Sequence, residues 1–444
     1  MTLQGVGLGE VDLLIHNCTI LPMRGREIVE RGFIAVKGGR ISQMGRETKA
    51  SSIRAEGTLD GQGKLAMPGL VNCHTHVAMT LFRGVAEDRS FDEWWKKFIW
   101  PLEQKLTWGH TYDGSLLGCL EMIKSGTTCF ADMYFHEDAV AEAVKKSGLR
   151  AVLAPGIIEA GNSNLGRKML QEAMKIAHEY HGCVNRRINV QLGPHTASTC
   201  SPELLRTARK AASKLKVGLH IHLAESKRMA KTVLQGSGLS ETELLEKVDF
   251  LKPDVIAAHC IHLTENDMQI IKKHDVKVAY NPIANMKLAS GIAKIHDLLE
   301  LGVTVGIGTD GAASNNSLDM FESMKVAALL QKISYMDPTV LPAERALRMA
   351  TLEGAKVLGI EKIVGSLEVG KKADLILIDT DKPHLTPTHD FYANLVYSAR
   401  GSDVDTVIVD GEILMEDREV KTLNESRVMK KAQETAKDLM EEKT

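Results

Sequence analysis

The sequence predicts an α/β protein: a (β/α)8 TIM-like barrel with a small β-sandwich domain formed by its N- and C-terminal segments. Three observations carry this expectation. Eight short apolar runs lie between residues 64 and 310, separated by stretches with helical spacing. Segments of alternating β character bracket that region on both sides. The chain has 444 residues, more than one ordinary core organises, which suits a large barrel with an addition. A doubly wound open sheet is the alternative for the same strand–helix alternation.

The elements follow in order. Residues 11–65 contain VDLLIHNCTI and GFIAVKGGRISQMG, short strands around a Lys-Gly-Gly-Arg turn. The eight runs are residues 64–74, 126–133, 149–157, 187–196, 216–225, 254–261, 276–282 and 303–310. Strands that are apolar on both faces and alternate with helices imply a parallel sheet covered by those helices. The intervening SPELLRTARKAASKL (201–215) and SLDMFESMKVAALLQ (317–331) have helical spacing. Residues 373–420 return to β character in ADLILIDT and VDTVIVDGEILMEDREV, where Asp410-Gly411 marks a hairpin. In the tail, Val428, Ala432, Thr435 and Leu439 fall on one helical face. The division expected is 1–65 with 366–423 as the small domain, 66–365 as the barrel, and 424–444 as a C-terminal helix.

Composition narrows the class. Charged residues make up 25 %, the hydrophobic set 44 %, and the net charge is −2 with lysine and arginine scattered. That argues against nucleic acid or a membrane surface as the main partner. The first residues, MTLQGVGLGEVDLLIH, lack the basic region of a signal peptide, and no stretch is long and apolar enough to span a bilayer. Seven cysteines with no CxxC pair point to reduced thiols and a cytoplasmic location. The missing CxxC also removes the zinc-deaminase design built on a PCxxC pair.

A barrel builds its site at the C-terminal ends of its strands. The first run ends in His74-Thr75-His76, and alternate residues of a strand share a face, so both imidazoles can reach one ion. The fifth run ends in His220-Ile-His222-Leu-Ala-Glu225, and the eighth in Gly308-Thr309-Asp310. Three histidines and one aspartate, His74, His76, His222 and Asp310, suit a divalent metal such as zinc. His220 shares the parity of His222 but lies deeper, and reads as a buried histidine lining the barrel. Glu225, past the strand end, is placed for proton transfer. His259 ends the sixth run and His195 the fourth, and both point into the same mouth. His262 belongs to the loop that follows.

At this point the residues resemble a known family. MPGLVNCHTHVAMTLFRGVAED (67–88), GPHTASTCSPELL (193–205), HIHLAES (220–226), AHCIHLTEND (258–267), NPIANMKLASGIA (281–293) and GTDGAASNNSLDMFESMK (308–325) are similar to amidohydrolase-superfamily deaminases. The nearest resemblance is to the 5′-methylthioadenosine/S-adenosylhomocysteine deaminase family, over nearly the whole chain. The resemblance implies metal ligands at His74, His76, His222 and Asp310, and proton transfer by Glu225 and His259. It implies a purine contact from His195. In FDEWWKKFIWPLEQKLT (91–107) it implies that Trp94 lies against the nucleoside and Glu103 accepts from the ribose hydroxyls. Pro155 stands where many members carry an arginine, which leaves Arg167 as the matching cation for a charged 5′ group; a loop residue such as Arg228 is another source.

The activity implied is hydrolytic deamination of 5′-methylthioadenosine, S-adenosylhomocysteine, 5′-deoxyadenosine or adenosine. The implied cofactor is one divalent metal per chain, Zn2+ first and Fe2+, Mn2+ or Ni2+ after it. A homo-oligomer without nucleic-acid or membrane partners is expected. A relative acting on guanine or a triazine is the rival enzyme, and Glu103 discriminates, since those rings carry no ribose. A non-catalytic scaffold is the rival from another class, and the complete ligand set argues against it.

Overall fold

The computed structural model of the chain describes residues 10–441. Residues 1–9 and 442–444, at the outer ends of the 1–65 and 424–444 segments, lie outside the described residues. The chain is a mixed α/β protein. Strands β1 (Val11–Ile20), β2 (Val29–Lys37), β3 (Arg40–Arg46), β4 (Ala55–Asp60) and β5 (Lys64–Pro68) come first. The central strands are β6 (Leu70–Thr75), β7 (Thr127–Asp132), β8 (Arg150–Leu153), β9 (Gly156–Ile157), β10 (Ile188–Val190) and β11 (Gly193–Pro194). They continue with β12 (Leu219–Leu223), β13 (Val255–His259), β14 (Lys277–Tyr280) and β15 (Val305–Ile307). The last strands are β16 (Leu375–Asp379), β17 (Val404–Val409), β18 (Glu412–Glu416) and β19 (Glu419–Val420).

Both ends of the chain share one nine-stranded sheet, in the order β19-β18-β17-β16-β5-β1-β2-β3 with β4 paired to β1. β5 joins the two ends, running parallel to β1 and antiparallel to β16. Between β17 and β18, Asp410 (φ 54°) and Gly411 (φ 82°) form the expected hairpin turn. Both central residues need positive φ to match the strand twist. Leu13, Ile15, Ile34, Val36, Leu375 and Leu377 belong to one buried cluster of this sheet.

The predicted first run, 64–74, is two strands in two different sheets, and the break falls at Gly69. A Cβ at Gly69 would lie 2.1 Å from the Thr128 side chain, so only glycine lets the chain change sheets there. The third and fourth runs are also divided, into β8 and β9 and into β10 and β11. Pro155 interrupts the first of these, because it has no N–H to continue the ladder.

The remaining strands are parallel. One sheet has the order β10-β8-β7-β6, another β12-β13-β14-β15, and β9 pairs with β11. A parallel bridge between Leu192 and Leu219 links the first two. At the other edge, the Asp310 N–H donates to the His74 carbonyl at 2.9 Å. One face of these strands contributes Val71, Cys73, Cys129, Ala131, Val152, Ile256, Ala258 and Ala279 to a single buried cluster. The other face contributes Leu70, Phe130, Ala151, Val255 and Val278 to the larger core shared with the helices. Burial on both faces is why these runs carry no polar alternation.

The helices Pro202–Leu215 and Met320–Tyr335 form where their spacing predicts. The C-terminal helix Glu425–Glu441 buries Val428, Ala432, Thr435 and Leu439, the four residues of its predicted face. Thr435 donates to Asp113 at 2.7 Å, and Leu439 joins the cluster that contains Phe82 and Trp94. That helix therefore braces the segment that covers the site. All seven cysteines are free thiols. Among the described residues, no helix is long and apolar enough to cross a membrane.

Candidate active site

The C-terminal ends of the parallel strands enclose a cavity of about 720 Å3, lined among others by His76, Trp94, Glu103, His195, His222, Glu225, His259 and Asp310. Its base is a knot of histidines. The His74 and His76 rings lie 4.9 Å apart, and His74 lies 4.9 Å from His222 and 5.4 Å from His259. The Asp310 carboxylate stands 3.2 Å from His76 Nε2 and 3.7 Å from His74 Nε2.

Backbone and side-chain bonds hold this knot. Asn72, the one polar residue before the first histidine, donates to Thr309 Oγ1 at 2.7 Å and accepts from the Thr309 N–H at 3.0 Å. Thr75 Oγ1 donates to the Asp310 carbonyl at 3.0 Å. These bonds tie the end of β6 to the segment after β15, and so fix His74 against Asp310. The β6–β7 ladder shifts register between Asn72 and Thr75. The two histidines therefore leave the strand where its pairing is irregular, not from one regular face. Ala224 (φ 50°), His259 (φ 72°) and Asp310 (φ 64°) lie in the left-handed region. Non-glycine residues there cost about 1–3 kcal/mol each, and such strain concentrates where side chains must be aimed.

The electrostatics follow from burial. His74 and His222 are held well below the ordinary histidine range because burial disfavours their charged forms. Burial opposes the charged form of His76 too, but its hydrogen bond to Asp310 and the Asp310 charge outweigh it and push it up to about 9. Burial acts against the Asp310 carboxylate, yet His76 holds it below its usual value. Burial raises the Glu225 carboxyl, with the nearby His259 opposing; their closest nitrogen and oxygen are 3.8 Å apart.

The donor set fits a divalent cation. His74, His76 and Asp310 offer ligand atoms within 4.8 Å of one another, and so do His74, His222 and His259. His74 Nε2 is buried with no hydrogen-bond partner. The other ring nitrogens are engaged outward: His76 Nδ1 lies 2.6 Å from the Met133 carbonyl and His222 Nδ1 3.0 Å from the His195 carbonyl. Nitrogen donors with one carboxylate are the preference of a borderline metal. His259 reaches this set as well, with its Nδ1 2.9 Å from Asn285 Oδ1.

Above the histidines the walls are aromatic. Trp94 is buried against Phe91. Its neighbour Trp95, which the sequence did not single out, lies nearly parallel to the His195 ring at 17° and 6.2 Å. His195 Nδ1 lies 2.9 Å from Thr199 Oγ1, which leaves Nε2 for a ligand. Burial pushes the Glu103 carboxyl up to about 7, against the Tyr134 hydroxyl and the His76 charge. Glu103 also borders a second, larger cavity, which shares Tyr134, Phe135 and Gly156 with the first. That second cavity is largely apolar, with Trp100, Leu106, Leu165, Met169 and Ile176 in its wall and no arginine or lysine.

Comparison with known proteins places this arrangement. A model of the amidohydrolase family matches residues 65–414. The chain belongs to the amidohydrolase family. It is 49 % identical to the 5-methylthioadenosine/S-adenosylhomocysteine deaminase of Desulforudis audaxviator, over 97 % of this chain and 99 % of that protein. It is 47 % identical to the 5′-deoxyadenosine deaminase of Methanosarcina mazei, over 97 % and 98 %. Among solved structures it resembles a zinc-bound adenosine deaminase from Xanthomonas campestris, with a TM-score of 0.93, 31 % identity, and coverage of 97 % and 99 %.

Within this amidohydrolase, the structure brings together His74, His76, His195, His222, Glu225, His259, Asp310, Trp94 and Glu103. It does not bring Arg167 to them. Arg167 is exposed on the helix Ser163–Tyr180, its guanidinium donates to Asn164 Oδ1 at 2.5 Å, and it lines neither cavity. Its helical neighbours Leu165 and Met169 face the second cavity instead. Arg228 lines neither cavity, and Pro155 lines the second.

Proposed function

We propose that this amidohydrolase deaminates adenine nucleosides with a modified 5′ position: 5′-methylthioadenosine, 5′-deoxyadenosine, S-adenosylhomocysteine and, without a modification, adenosine. The observation that carries this is the position of Glu103, a buried carboxyl between a histidine-walled cavity and a second, largely apolar cavity. The names of the most similar relatives point to the same substrates. The eight parallel runs are taken as one closed (β/α)8 barrel over residues 66–365. The bridge at Leu192–Leu219 and the Asp310–His74 bond support closure. The described residues of segments 1–65 and 366–423 form the small β-sandwich domain, and Glu425–Glu441 the bracing helix.

His74, His76, His222 and Asp310 hold one divalent cation, zinc before Fe2+, Mn2+ or Ni2+. When bound, such a cation supplies the Lewis acidity that brings a water molecule's pKa toward neutrality. The chain's own groups do the rest. Trp94 and Trp95 cover the adenine, and His195 Nε2 meets its edge. Glu225, raised by burial, carries a proton to N1, which makes C6 electrophilic. His259 and Asp310 flank the attacking water and take its proton, and Asp310 returns it to the departing amine. Water adds at C6, the C6–N bond breaks, the C6 hydroxyl proton restores the Glu225 carboxyl, and ammonia leaves with an inosine-type product.

The test is a panel of the four nucleosides, followed by the adenine-to-hypoxanthine absorbance change and by ammonia release. The expected result is stoichiometric ammonia from at least one 5′-modified nucleoside. Turnover of guanine or an aminotriazine with no turnover of any nucleoside would overturn the proposal.

A further inference from the structure

Three histidines face the centre of the candidate cation site, but their outer nitrogens have different kinds of partner. His76 and His222 are each backed by a main-chain carbonyl, Met133 O at 2.6 Å and His195 O at 3.0 Å. A carbonyl only accepts, so each ring keeps a proton on Nδ1, and Nε2 is the nitrogen left to ligate a cation. His74 is backed by another imidazole instead: its Nδ1 lies 3.0 Å from Nε2 of His220. A neutral imidazole can donate or accept through either nitrogen.

Both rings are fully buried, and an imidazole that ligates through Nε2 carries its proton on Nδ1. One proton therefore lies between His74 Nδ1 and His220 Nε2. If His74 donates it, His74 Nε2 is a lone pair aimed at Asp310, His76 and His222, and a cation can bind. If His220 donates it, the proton of His74 sits on Nε2 and blocks ligation. The first arrangement places the proton of His220 on Nδ1, a buried nitrogen with no partner in the structure. The backbone of the site sets the tautomers of His76 and His222, whereas that of His74 depends on a side chain.

We propose that His220 is a positioning residue for the cation site: as acceptor for His74 Nδ1–H it holds His74 in its ligating tautomer and sets the affinity for the metal. This rests on the cation site proposed above. It adds a role to the expected one, since His220 is a buried histidine of β12 as the sequence implies. Partners of this kind orient a ligating imidazole and raise its basicity, and their loss typically costs about 10–100-fold in metal affinity. A glutamine at 220 can offer a carbonyl oxygen as acceptor, whereas a phenylalanine fills the space of the ring and accepts nothing.

The test measures zinc binding to the metal-stripped chain by competition with a chromogenic chelator, alongside the melting temperature of the metal-free protein. His220→Phe is expected to weaken zinc binding by about 10–100-fold with little change in metal-free melting. His220→Gln is expected to stay near the wild type. Wild-type affinity in His220→Phe, or a loss in His220→Gln equal to that in His220→Phe, overturns the inference. In the zinc-loaded wild-type chain, side-chain 15N NMR should show protonated Nδ1 on both His74 and His220. A protonated Nε2 on His220 overturns the inference, whether or not the variants fold. A wild-type chain without zinc affinity overturns the cation site itself, and this inference with it.

Discussion

Glu103 gives the most informative single position, because an isosteric uncharged variant should gain stability while removal of the carboxylate should cost activity. Its carboxyl is buried and raised from 4.5 to about 7. For an acid whose folded value is raised, folding binds a proton, so the penalty is absent below the unfolded value and grows as pH rises toward 7. Above that pH it amounts to about 3 kcal/mol. Glu103→Gln keeps the shape and cannot ionise. It should raise the urea midpoint at pH 8, by up to that free energy, and leave it nearly unchanged at pH 4.5. The catalytic consequence is opposite in sign. A carboxylate accepting two ribose hydroxyls gains about 1.5–3 kcal/mol per bond, so Glu103→Ala should lower kcat/KM for ribonucleosides by about 10²–10⁴-fold. The 2′,3′-dideoxy analogues should lose far less. For wild type, kcat/KM on ribonucleosides should fall more steeply as pH drops below 7 than kcat/KM on the dideoxy analogues, which keep only the fall common to all substrates. Equal losses for both substrate classes would refute the ribose contact. A stability gain as large at pH 4.5 as at pH 8 would refute the buried charge.

Other outcomes follow from the same geometry. Glu225→Gln should retain bound metal and lose turnover by about 10²–10⁴-fold, measured by metal content and single-turnover rate; a variant that loses its metal would make Glu225 a ligand. The second cavity has no arginine or lysine in its wall, so 5′-methylthioadenosine or 5′-deoxyadenosine should be at least as good a substrate as S-adenosylhomocysteine; a tenfold preference for the last would contradict this. Arg167→Ala should leave kcat/KM for all three unchanged, because Arg167 faces solvent, and a selective loss on S-adenosylhomocysteine would return it to the site. Trp95→Ala should raise KM for every adenine nucleoside through loss of a stacking face, and an unchanged KM would remove Trp95 from the adenine wall.

The parts of the site legible in the sequence were those written locally. His74 and His76, His222 with Glu225, and Asp310 each end an apolar run, and a strand end is where a parallel strand exposes its side chains. The tail helix was legible for a similar reason, since four residues at helical spacing need only one partner surface. What stayed hidden depends on contacts distant in sequence. Nothing local says that His220 meets His74, 146 residues away. Nothing local distinguishes Trp94, buried against Phe91, from Trp95, which faces His195. Arg167 matches a site cation by resemblance, but the helix phase that turns Leu165 and Met169 toward the second cavity carries Arg167 away from it. The break at Gly69 was masked by continuous apolar sequence, because both the strands it separates are buried.

The central claim is that one cation, held by His74, His76, His222 and Asp310, makes this cavity a nucleoside deaminase. Its most direct test is titration of the metal-stripped protein with zinc while the deamination of 5′-methylthioadenosine is followed. The account predicts no activity before zinc is added, and a linear rise that levels off at one zinc per chain. Full activity in the metal-free protein, or a plateau at two, would contradict it.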